Sequence, residues 1–129
     1  MSLPYEANMT RIGTFTAGVD LSDHQYKAVM LSTAADDSVI PPSGQGAMCI
    51  GILQNAPKAG SKADVCVFGI TRAVGGATVT RGARVTANGA DGEIGAASSG
   101  DYVLGVLTQG TADGVEQSMF VNPQFVPLA

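Results

Sequence analysis

The chain's one histidine, His24, follows two acids in the run Asp20-Leu-Ser-Asp23-His24. An imidazole beside carboxylates is the start of a metal site or of an acid–base pair, because His titrates near neutrality and its neutral ring ligates cations. A ligand set needs more donors than this, and there is no second histidine. The run also lies just ahead of a β-rich segment, so the favoured reading is a solvent-exposed loop. Paired acids recur at Asp36-Asp37 and at Asp91-Gly92-Glu93. A calcium loop needs oxygen ligands at fixed alternating positions with a closing Glu, and neither pair sits in that pattern. Turn formation and solubility account for them. A glycosidase-type carboxylate pair stays open, but nothing selects these acids over any others.

The remaining chemistry-bearing types are weaker still. Gly60-Ser61-Lys62 lacks the upstream glycine spacing of a Walker loop and leads from one β-run into another, not into a helix whose N-terminus could hold phosphate. Cys49 and Cys66 lie on two runs that read as one hairpin. Without a secretion signal, buried thiols acting as small apolar residues are the favoured reading, and a cross-strand disulfide is the alternative. Neither cysteine has a basic neighbour that would activate it. Asn8-Met9-Thr10 satisfies the glycosylation triplet, which has no use in a chain without that signal. No nucleophile elbow, zinc spacing or dinucleotide fingerprint occurs, so the sequence nominates no catalytic, cofactor-binding or metal-binding residue, and no cofactor.

The elements that would have to position such residues are all of one kind. No window keeps a 3.6-residue apolar period, and Gly or Pro interrupts every stretch that approaches one. Short β-rich runs recur instead, near residues 10–16, 26–32, 47–54, 64–72, 78–79, 84–87, 102–109 and 116–122. Asn88-Gly89-Ala90-Asp91-Gly92 is a strong turn signal, and Ala34-Ala35-Asp36-Asp37-Ser38 is its weaker counterpart. These runs repeat. Gly46-Ala-Met-Cys-Ile-Gly51-Ile-Leu53 returns as Gly100-Asp-Tyr-Val-Leu-Gly105-Val-Leu107, 54 residues later. At the same offset the 27–32 run faces 81–86, Asp37 faces Asp91 and Ile40 faces Ile94. Beyond the glycine-centred strands, the 63–68 run is matched with 115–120, two residues out of step. Gly51 and Gly105 fall inside strands, where glycine marks a bulge or a close backbone approach. The expectation is an all-β fold, a small β-barrel or β-tulip-like domain of two pseudo-symmetric units spanning about 12–62 and 63–122. An N-terminal arm (1–11) precedes it and an apolar, proline-broken tail (123–129) follows.

Composition narrows the partner. The chain has 129 residues, a formal net charge of −4, 14% charged residues, 17 glycines and no Trp. Its seven cations are scattered singly, which argues against a phosphate-neutralising surface and hence against nucleic acid. No run approaches 18 apolar residues, and no charged-then-apolar leader opens the chain, so neither a membrane span nor secretion is expected. A soluble protein made in a cytoplasm follows. Sparse charge and small side chains suit an exterior partly covered by other protein.

A family resemblance rests on these same residues. Ala17-Gly18-Val-Asp-Leu21, Gln25-Tyr26-Lys27-Ala28-Val29, Ile50-Gly51-Ile-Leu-Gln54-Asn55-Ala56-Pro57, Ala59-Gly60 and Val65-Cys-Val67 occur in that order. Val79-Thr-Arg-Gly-Ala-Arg-Val85, then Gly89 to Gly92 and Gly105-Val-Leu, continue the pattern. Over about residues 12–122 the chain resembles the capsid decoration, or cement, proteins of tailed bacteriophages. The resemblance implies a non-enzymatic β domain that binds the outer surface of the mature head and bridges major capsid protein subunits, commonly as a homotrimer. It implies localisation on the virion after synthesis in the bacterial cytoplasm. The N-terminal arm becomes the segment expected on the capsid, with Leu3, Pro4, Tyr5, Met9 and Arg11 as contact candidates and Phe125 from the tail beside them. Two other readings are a different virion part, such as a head-fibre base or tail module, and a small β-barrel hydrolase or ligand-binding module centred on His24.

Overall fold

A computed structural model describes residues 10–129; the expected contact residues Leu3, Pro4, Tyr5 and Met9 lie outside the described residues. Nine strands form and, among the described residues, no helix. In chain order they are β1 (Arg11–Ala17), β2 (Ala28–Leu31), β3 (Ser38–Ile40), β4 (Gly51–Leu53), β5 (Lys62–Val74), β6 (Arg84–Ala87), β7 (Ile94–Ala96), β8 (Gly105–Leu107) and β9 (Glu116–Val121). The all-β reading of the sequence is correct. β-branched runs such as Ala-Asp-Val-Cys-Val-Phe form the strands, and left-handed residues at Gly60, Gly82, Gly92, Gly100 and Gly114 close the turns between them. The 78–79 run yields one bridge, Val79↔Thr111, rather than a strand.

Five strands close a ring. β1 runs parallel to β3, β3 pairs β2, β2 pairs β4, β4 pairs β5, and β5 returns to β1 through Ile12↔Cys66 to Thr16↔Lys62. The second unit repeats this path as β5–β7–β6–β8–β9–β5, with the single parallel bridge Gly75↔Ile94 standing where β1 meets β3. The correspondence extends to individual bonds. Gly18 N–H donates to Val39 O at 2.8 Å and Gly76 N–H to Ile94 O at 2.8 Å; Leu21 N–H donates to Pro57 O and Val79 N–H to Thr111 O. One long strand, β5, therefore ends ring one with its first half and begins ring two with its second. Gly69, at a φ of +115°, marks the change of ring. That backbone region is open to glycine and costly for a side chain.

Pairing also corrects the register of the repeat. Ile52↔Cys66 matches Val106↔Phe120, so the 54-residue offset continues from β4/β8 into β5/β9, without the two-residue step assigned from sequence. Val29↔Gly51 matches Val85↔Gly105, so β2 and β6 are offset by 56 residues, and the 27–32 run is displaced by two from the match read in sequence. Leu31↔Val39 and Ala87↔Ile94 place β3 and β7 between these values, so Val39 is the counterpart of Ile94. A two-residue slip leaves inward residues inward, because side chains alternate with a period of two.

Each ring has its own filling. Leu21, Val29, Val39, Ile50, Leu53 and Val65 fill ring one. Val85, Ile94, Leu104, Leu107 and Met119 fill ring two, and Ala28, Ile52 and Cys66 from the outside of ring one join that same cluster. A fully buried aliphatic side chain contributes about 1.5–3 kcal/mol, so a ring of half a dozen is marginal alone against the entropy of its loops. The contact between rings is part of the core.

Candidate functional surface

His24 stands at the head of β2, in a turn made by its N–H to Leu21 O at 3.0 Å. It is in a loop, as its sequence context indicated, but it is half-buried, and Nδ1 is fully enclosed without a hydrogen-bond partner. Ring two meets the residues that follow: its Gly92 O accepts from Ala28 N–H at 2.7 Å and Glu93 meets Lys27 at 3.7 Å. Burial pushes the imidazole below its ordinary value, aided by the Lys27 charge, against the opposing pull of Asp23, Asp91 and Asp20. Asp20 is held low by the Ser22 backbone N–H at 3.0 Å. Asp91 likewise accepts from Glu93 N–H at 3.0 Å. These are turn-forming carboxylates. Among the described residues no three His, Cys, Asp or Glu side chains come together in a way that could hold a metal.

Cys49 and Cys66 are free, buried thiols. Burial pushes Cys49 up to about 12 and raises Cys66 too, which keeps both protonated and unreactive. Their counterparts in ring two are Val103 and Phe120, so both positions are apolar packing positions. Gly60 occupies the turn between β4 and β5, where its N–H donates to Ala17 O, so the Gly60-Ser61-Lys62 run is a turn rather than a phosphate cradle.

Apolar exposure lies on the outside of the rings. Across ring one the outward row runs Ile12, Cys66, Ile52, Ala28; across ring two it runs Ile70, Phe120, Val106, Arg84. The first row is buried under ring two apart from Ile12. Among the described residues the second row is open at Ile70 and Arg84 and half-buried at Phe120 and Val106. Ile70 is 60% exposed, and beside it Phe68 meets Phe120 edge to face at 5.2 Å. Arg84, Val103, Val106 and Phe120 line a groove of about 370 Å³ whose far wall is the C-terminal tail. Beyond β9 the tail continues antiparallel to residues 100–104, held by three backbone bonds, Gln124 N–H to Val103 O, Leu128 N–H to Asp101 O, and Gly100 N–H to Leu128 O, with a bridge between Tyr102 and Pro127. Of the expected contact residues, Arg11 begins β1 opposite Phe68, and Phe125 projects from the tail at 60% exposure. The groove itself was not evident in the sequence. Its one signal was Phe125-Val126-Pro127-Leu128, an apolar run at the chain end.

No protein-family model matches the chain, and no curated protein matches it. Among solved structures the fold is similar to the head fiber gp8.5 N base of bacteriophage phi29, with a TM-score of 0.68 and 13% identity. The match covers 94% of this chain and 99% of that one. At this identity it is a likeness of fold, and it takes in both rings.

Proposed function

We propose that this protein is a non-enzymatic structural component of a tailed-phage virion, a head decoration protein that docks on the outer surface of the mature capsid and bridges major capsid subunits. The observation that carries the virion part of the reading is the likeness, over nearly the whole of both chains, to a phage head-fiber base; the decoration role rests on the sequence resemblance over about residues 12–122. The unreactive thiols and the turn-bound carboxylates add no chemistry that would point elsewhere. Cementing needs none. A ligand that binds only the mature lattice stabilises it in proportion to the logarithm of free concentration over Kd, and a homotrimer multiplies weak contacts through effective concentration. Phe125 and the segment up to Arg11 supply the capsid contacts in this reading.

The test mixes purified protein with expanded heads lacking it and images them. Ordered density on the shell, at a copy number comparable to the major capsid protein, is the expected result. A bare shell would overturn the proposal. The neighbour's identity favours a second reading, a head-fiber base, and copy number separates the two, since a fibre base would appear at few sites per head.

A further inference from the structure

The two rings differ in what covers them. Ring two sits on the outer row of ring one through Ala28 N–H to Gly92 O at 2.7 Å, Gly46 N–H to Ala87 O at 2.9 Å and Tyr102 N–H to Gly46 O at 3.0 Å. Among the described residues, the matching row of ring two, Arg84–Val106–Phe120, carries no such cover. At Gly100, the counterpart of Gly46, the tail's Leu128 O takes the place that Ala87 O has in the intrachain contact, at 2.7 Å. The free end of ring one is the complement of this face. Leu31 and Met48, the counterparts of Ala87 and Tyr102, are 43% and 42% exposed, although Ala87 is buried. Asp37, the counterpart of Gly92, shares its left-handed backbone, at +50° against +84°, and is also exposed.

We infer that the ring-one end of one copy docks on the open row of ring two in a second copy, repeating between chains the contact that joins the two rings within a chain. Charge supports this register. Within the chain, Gly92 rests on Ala28, where a Cβ on the glycine would stand 2.6 Å from Ala28 O, so both partners must be small. Between chains the same two positions are Asp37 and Arg84, a carboxylate facing a guanidinium. The groove beside Arg84 leaves room for the apolar side chains of Leu31 and Met48. The tail competes for the Gly100 N–H, and no shared strand tethers the partners, so the contact is weak in the free protein and strengthens at high local concentration. It is head-to-tail, and such a contact closes into a ring or runs on as a filament. It stands independently of the capsid reading.

Charge reversal on the full chain tests it. By sedimentation velocity up to about 1 mM, the range of weak association, the unaltered protein forms concentration-dependent oligomers that salt weakens. Asp37→Arg alone and Arg84→Asp alone each lower that association at least tenfold, because like charges then face each other. An equimolar mixture of the two variants restores it. Arg at a left-handed position can disturb the turn, so a second measurement uses the unaltered chain, titrating unlabelled protein into isotope-labelled protein by NMR. Paired shifts at Leu31 and Met48 and at Val106 and Phe120 are expected. A monomer throughout, association unchanged by either reversal, no restoration by the mixture, or shifts confined to other surfaces would each overturn the inference; a monomer throughout is also the outcome if the face serves an unlike protein.

Discussion

His24 shows how far a single residue can be read without its surroundings. Its loop position follows from its neighbours in the chain. Its enclosure does not: Nδ1 is buried only in the folded chain, where ring two meets the neighbouring Lys27 and Ala28. The enclosure sets a pH dependence. The folded imidazole is held below its ordinary value of 6.5, chiefly by burial and then by Lys27, against Asp23, Asp91 and Asp20. Below pH 6.5 the unfolded chain takes up the proton more readily than the folded one, so stability is full above that value and declines as pH falls toward the lowered one. Thermal melts between pH 7.5 and 5.5 should show the midpoint dropping with pH, and His24→Gln should flatten the drop. An unchanged slope in the variant would show that His24 is not the source of the dependence.

Among the elements, β4 and β8 show how a strand is placed by what it crosses. A Cβ on Gly51 would lie 2.1 Å from Cys66 O, and one on Gly105 would lie 2.0 Å from Phe120 O. Both obstacles are backbone, which cannot swing aside. The close approach expected of these glycines from their place inside strands is present in both rings. Overpacking of this kind costs about 1–3 kcal/mol, so Gly51→Ala and Gly105→Ala should each lower the urea midpoint by at least that equivalent, while Gly44→Ala, with open space around it, should leave it unchanged. The strand register was less legible. Val29 and Val85 are equivalent by pairing to Gly51 and Gly105, yet the sequence aligns Val29 with Ala83. Only the pairing partner distinguishes the two, since a slip of two preserves the inward pattern.

For the molecule as a whole, the shared strand β5 and the burial of Ala28, Ile52 and Cys66 in the ring-two cluster make the rings one folding unit. Unfolding followed by far-UV circular dichroism and by tyrosine fluorescence should give coincident, single transitions; two separated transitions would mean that the rings fold independently. What the linear chain carries is the β-rich runs, the turn signals, the existence of the duplication and the glycines at which strands cross. Three features needed the folded chain: the strand common to both rings, the two-residue shift between β2 and β6, and the unequal cover that hides one outer row and leaves Arg84, Val106 and Phe120 open. The physical reason is the same for all three. They depend on which distant backbone groups pair and on which identical-looking faces meet, and a repeated pattern is silent about that choice because both copies satisfy it equally well.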